Sequence, residues 1–217
     1  MRRGIDSFQL KCIAILSMAA DHTGALLFPE QMWLRGVGRL AFPIFAFVLA
    51  EGFFYTHDIK RYLARMGVFA LLSEIPYDLA FQGAVLEFDR QNVFFTLTVS
   101  LLVLCVMEKV TGQILKAVVV LFGMWLCEWI HTDYGMMGVL LPAIYAAFRD
   151  RFQVKIALGA FWNLLWTPGV QYLGSLASIP IAFYNGERGR SMKYLFYLFY
   201  PGHLLVLHGI QSYFFHI

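Results

Sequence analysis

Nine apolar stretches, each closed by a short charged knot, decide what this chain can fold into. They cover residues 8–28, 40–56, 62–81, 92–108, 115–130, 135–148, 154–166, 170–184 and 194–214. A helix needs about 20 residues to cross a hydrocarbon core about 30 Å thick. In lipid every backbone polar group has to be paired within the spanning segment, which favours helices. No alternating ten-residue pattern runs through the stretches, which argues against a barrel. Only 14% of the 217 residues are charged and 59% are hydrophobic. A soluble domain carries about 25% charged residues. The expected fold is therefore all-α: a polytopic transmembrane helical bundle of about nine spans, forming one integral membrane domain over residues 1–217.

The basic residues give the expected orientation. Following the nine crossings, 14 of the 17 Lys and Arg fall on the side of the N-terminus, among them Arg2, Arg3, Lys60 and Lys193. Only Arg35, Arg39 and Arg90 fall on the other side. Positive charge collects on the cytoplasmic side, so the N-terminus is expected inside and the C-terminus outside. Segments seven and eight are joined only by Thr167-Pro168-Gly169, so 154–184 either spans fully or forms a re-entrant hairpin. The same topology accounts for the net charge of +3, and no nucleic-acid partner is expected. Lys11 interrupts the first apolar run too early for a cleaved signal, so a retained first helix is expected. Cys12, Cys105 and Cys127 lie in apolar runs without a CxxC spacing and read as small buried hydrophobes.

Ionisable groups inside such runs are costly and by default functional. Asp21 and His22 lie about 20 Å from the inner edge, counted at ~1.5 Å per residue. Glu74 and Asp78 stand near the outer end of the third span, Arg39 opens the second, and Asn92 and Thr96 open the fourth. Glu128 and His131 close the fifth. These groups are expected to converge on one level in the outer half. Glu51 and His203 are expected deeper, the latter about 13 Å from the inner edge. Adjacent helical residues diverge by about 100°, so Asp21 and His22 each need a partner from another helix. Arg39 is a candidate partner of Asp21 or Glu74, and Glu74 or Asp78 of His22. Asp21 shares a stripe with Leu10, Ala14, Ser17, Gly24 and Phe28, whose small members admit a close neighbour. Pro201-Gly202 could open the last helix beside His203 and expose backbone groups to a ligand.

Histidine titrates near neutrality and is the usual general base. A carboxylate can orient it, and Arg39 with Asn92 can hold an anionic group or a developing oxyanion. That set suits acyl transfer. Glu128 and His131 have the spacing of a carboxylate–histidine metal pair, but no second copy exists and no metal is expected. A proton-coupled membrane transporter would also carry Asp, His and Glu at mid-membrane. It remains the alternative, although the inverted repeats common in transporters are not found.

The segments LKCIAILSMAADHTG, GRLAFPIFAFVLAEGF, EIPYDLAF, NVFFTL and YLFYLFYPGHLLVLH, in that order, resemble the TraX family. The resemblance runs over most of the chain. It implies a multi-pass protein of the bacterial cytoplasmic (inner) membrane that transfers an acetyl group from cytoplasmic acetyl-CoA. The acceptor it implies is the N-terminus of a pilin-like protein, with an envelope polymer as the other partner to consider. It places the catalytic groups at His22, Asp21, Arg39 and His203, to which the residue-level reading adds Glu74. Glu51, Asn92 and Thr96 carry over with the motifs and, with Asp78, are the expected substrate-binding residues. Arg61, Arg65, Arg149 and Arg151 are positioned to hold the CoA phosphates by charge-assisted contacts.

Overall fold

The structure, a computed structural model, describes residues 4–166 and 169–215. Arg2, Arg3, the Thr167–Pro168 link and the C-terminal Ile217 lie outside the described residues. Helices account for the whole architecture: α1 (Ser7–Leu26), α2 (Met32–Gly38), α3 (Ala41–Tyr55), α4 (Ile59–Phe81), α5 (Val93–Lys109), α6 (Gln113–Trp129), α7 (Gly135–Ala147) and α8 (Phe152–Leu164). A 3₁₀ segment, Val170–Ala177, then runs into the short α9 (Ser178–Ala182), and α10 (Lys193–Phe215) closes the chain. The described residues contain no strand. Each apolar stretch read from the sequence corresponds to one of these helical segments, to within a turn. The unforeseen element is α2, whose two glycines, Gly36 and Gly38, and Arg35 gave its stretch the look of a loop.

Local chemistry starts the helices. Asp6 caps α1 reciprocally with Gln9: its Oδ1 accepts from the Gln9 amide at 2.8 Å, and its own amide donates to Gln9 Oε1 at 2.9 Å. Such a box satisfies two amides that a helix start leaves open. Asp58 caps α4 and Asn92 caps α5 in the simpler one-sided way. Helix α3 is apolar all round except at Glu51, with nine of its residues buried, and it is the hub of the bundle. It touches α1, α5, α7 and the 3₁₀ segment, as expected of a helix without a polar face.

Met32–Tyr55, which combines α2 and α3, is the one described stretch long and apolar enough on its own to cross a membrane. The other predicted spans carry ionisable groups or are short. Helices α7 and α8, with 13 residues each, reach only about 20 Å. The outer surface is nonetheless greasy. Ile114, Leu121, Phe122, Trp125 and Trp129 stand exposed along α6, and Val68, Leu71 and Leu72 along α4.

The polar groups gather at one end of the bundle. The ends of α1 and α4 meet the starts of α3 and α5 there, together with α2 and the 130–134 loop. That loop is tied to the one before α5: the Gln91 amide donates to the His131 carbonyl at 2.9 Å, and the Asp133 amide donates to the Gln91 carbonyl at 2.8 Å. His131 holds a φ of 52°, a left-handed conformation that costs a non-glycine residue energy.

Candidate active site

The site begins with the stripe on α1. Leu10, Ala14, Ser17, Asp21 and Gly24 are all buried. Gly24 and Gly38 let α2 pack closely over Asp21; a Cβ at Gly38 would overlap the Asp21 side chain. Two arginines therefore converge on one carboxylate. Arg35 Nη1 lies 2.8 Å from Asp21 Oδ1 and also donates to the Asp21 carbonyl at 3.2 Å. Arg39 Nη2 pairs with Asp21 Oδ2. Arg39 further donates through Nε to the Arg35 carbonyl at 3.2 Å and through Nη1 to Gln171 Oε1 at 3.1 Å.

His22 sits one residue along and meets a second histidine. Its Nδ1 lies 2.6 Å from His203 Nε2, and His203 Nδ1 lies 2.7 Å from the Phe199 carbonyl. The carbonyl can only accept, so His203 Nδ1 is the protonated nitrogen and, in the neutral ring, Nε2 accepts. His22 must then donate through Nδ1. Its Nε2 keeps the lone pair and has no protein partner among the described residues. Two hydrogen bonds thus select the tautomer that leaves His22 Nε2 available as a base. Helix α10 passes through Pro201 and Gly202 without a break. The group that Pro201 leaves without its usual helical donor is the Tyr197 carbonyl.

His22, Asp21 and Arg39 line a cavity of 550 Å³. Its walls include Arg35, Arg90, Asp133 and Gln171, with Phe42, Tyr77, Tyr134, Trp166 and Tyr200 as the aromatic component. Asp133 lies in the loop before α7. The surrounding protein raises its carboxyl above the ordinary carboxylate range and Arg39 opposes the rise, but Asp133 is exposed to the cavity opening, which limits the effect.

The remaining residues expected at the site have other partners and do not line this cavity. Asn92 is fully buried; it caps α5 through the Phe94 amide, donates to the Ala70 carbonyl at 2.8 Å and donates to Glu74 Oε2. Glu74 thus faces Asn92, not His22. Asp78 accepts from the Glu87 amide at 2.9 Å. Thr96 accepts from the Tyr134 amide at 3.4 Å and backs the cavity wall. Glu51 forms a 2.6 Å ion pair with Lys155, which ties α3 to α8. Of the four arginines expected at CoA, Arg61 pairs with Asp58, Arg65 lies over the Tyr62 and Tyr197 rings, and Arg149 covers Phe54 at 4.2 Å. Arg151 precedes α8 and is exposed. Arg65 is 12 residues before Tyr77 on α4, about 18 Å along the helix. Leu10, Phe47, Leu101 and Leu204 fill the bundle interior.

Sequence reasoning passed over Arg35, Asp133 and Gln171. Arg35 read as a topology charge. The other two reach the cavity through long-range loop contacts that no local pattern announces.

An all-helical bundle with a paired histidine on the wall of a polar cavity is the class that fold and site define. The chain matches the family model described as TraX protein over residues 7–211, and it belongs to that family. It is 32% identical to the "Probable fimbrial assembly protein FimC, serogroup H1" of Dichelobacter nodosus, with 95% of this chain and 97% of that protein covered. It is 28% identical to "Protein TraX" of Escherichia coli strain K12 over 62% of this chain and 53% of that protein. The chain thus spans about half the length of that second relative. No solved structure matches it.

Proposed function

We propose that this protein is an integral-membrane acyltransferase of the bacterial cytoplasmic membrane. It would move an acetyl or other acyl group from acetyl-CoA to an acceptor at the outer face. The name of the fimbrial relative favours the amino terminus of a pilin-like protein as that acceptor. The observation that carries this reading is His22, paired with His203 behind it and itself on the wall of the 550 Å³ cavity. The exposed aromatic and aliphatic side chains of α4 and α6 support a bilayer around the bundle, since large apolar patches on a soluble protein mark an interaction surface.

In this reading His22 Nε2 takes a proton from the neutral acceptor amine as its nitrogen attacks the thioester carbonyl carbon. A C–N bond forms and the carbonyl oxygen becomes an oxyanion. Arg39 spends three of its five N–H groups on Arg35, Gln171 and Asp21. The two that remain can stabilise that oxyanion. The C–S bond then breaks, and the thiolate leaves with the proton held on His22. The products are an amide and free CoA thiol. Asp21 holds Arg35 and Arg39 in place. Glu74 acts at one remove, by fixing Asn92 and with it the start of α5.

In this reading the donor's reacting end would enter the cavity, but the four arginines expected at its phosphates are not among the cavity's lining residues. An arm reaching from their end of the bundle would have to part the packed core.

The test is release of CoA thiol by the purified protein in detergent, with a peptide bearing a free amino terminus as acceptor. Acetylated peptide in step with thiol release supports the reading. A folded protein that releases no thiol with acetyl-CoA and any acceptor would instead favour proton-coupled transport.

A further inference from the structure

The cavity's lip holds a carboxylate that the mechanism above leaves unused. Asp21 is engaged by Arg35 and Arg39. Asp133 lines the same cavity, yet among the described residues no cation lies within 4 Å of its side chain and none donates a hydrogen bond to it. Its backbone, by contrast, is firmly placed. The Asp133 amide bonds to the Gln91 carbonyl, the Tyr134 amide to Thr96, and the Gly135 amide to the Thr132 carbonyl at 2.9 Å. Around it stand aromatic rings. Tyr134 is stacked on Phe42 with centroids 3.8 Å apart, and Trp166 meets Tyr134 edge-on at 5.7 Å. Tyr77 and Tyr200 complete that wall.

A free carboxylate beside aromatic faces is a receptor for an organic cation: the carboxylate supplies charge-assisted hydrogen bonds and the rings supply their negative faces. The arginines weigh against any cation. Arg35 and Arg39, however, both turn to Asp21, which leaves one positive charge over at the floor, and Arg90 has Asp89 as its chain neighbour on the cavity wall. The floor therefore suits the thioester carbonyl, and the Asp133 side of the lip suits the positive group.

Resting on the acyltransferase reading, we propose that Asp133 is the acceptor-selecting residue, holding a primary ammonium group at the cavity lip and so favouring amines over hydroxyl acceptors. The bound ammonium passes one proton to solvent to become the neutral amine, and His22 then acts as described. The overall change is ammonium plus thioester giving amide, thiol and one released proton.

The experiment compares two acceptors on the full chain in detergent: a peptide with a free amino terminus and the same peptide with an α-hydroxyl in its place. Transfer by the wild type is measured first, and its absence would defeat the acyltransferase reading itself. With transfer established, Asp133→Asn is expected to raise KM for the amine peptide about tenfold or more, the size of a lost charged hydrogen bond. It should change kcat far less and leave KM for the hydroxyl peptide in place. Asp133→Glu should recover part of the amine preference. An equal effect on both acceptors, or no effect on either, overturns the proposal.

Discussion

At the scale of single residues, His22 and its partner carry the account. His22→Ala is expected to abolish acyl transfer while the protein still purifies as a folded species. His203→Ala should leave His22 in place but free its tautomer, lowering kcat by about 10- to 100-fold with little change in KM for acetyl-CoA; steady-state kinetics separate the two effects. Asp21→Asn leaves two arginines facing a neutral amide, and loss of one member of a buried pair costs about 3–5 kcal/mol. Activity should fall together with thermal stability in detergent; a lower melting temperature at full activity would reduce the pair to a structural brace. Asp133 sets a pH dependence. Its carboxyl is raised above the ordinary carboxylate range by the protein around it, so its charged form is lost sooner than that of a free carboxylate as pH falls. KM for an amine acceptor should therefore rise between pH 7 and pH 5, and the rise should vanish in Asp133→Asn. The Asp21–Arg39 pair was legible in the sequence because both residues are charges in apolar runs at similar depth. His203 was placed too deep, because counting ~1.5 Å per residue from assumed membrane edges ignores how far each helix is offset along the bundle. The structure puts its ring against His22.

At the scale of elements, the crossing of α1 and α2 positions the site. The stripe of small residues on α1 was legible from its helical spacing. The helix that packs on it was not, because Gly36 and Gly38 resemble loop residues until the partner surface is seen. Gly38→Ala should force its new Cβ against Asp21 and cost about 1–3 kcal/mol, with a parallel loss of activity as Asp21 and both arginines shift. Circular dichroism with thermal unfolding measures the first, and thiol release the second. Gly67→Ala, where a Cβ meets open space, is the control and should leave both near the wild-type value. The loop pairing through Gln91 is a backbone interaction between distant segments. It leaves no side-chain signature, and this is why Asp133 stayed hidden.

At the scale of the whole molecule, most helices and their order follow from where the apolar runs stop; the structure adds α2 and makes most of the eighth run a 3₁₀ segment. The bilayer and the orientation rest on charge placement and on the exposed apolar flanks of α4 and α6. A reporter inserted in the 83–88 loop should read outside the cytoplasm, and one inserted at 186–190 should read inside; the reverse pattern would contradict the N-in arrangement. The expected CoA site was the least legible part, because arginines placed for topology and arginines placed for phosphates look alike in sequence. The central claim is that His22 is the base of an acyl transfer. It is tested most directly by mixing purified protein, acetyl-CoA and a free-amine peptide, then following thiol release and acetylated peptide for the wild type beside His22→Ala. The account predicts matched formation of both products by the wild type and neither above background in the variant. Transfer by His22→Ala at the wild-type rate would contradict it.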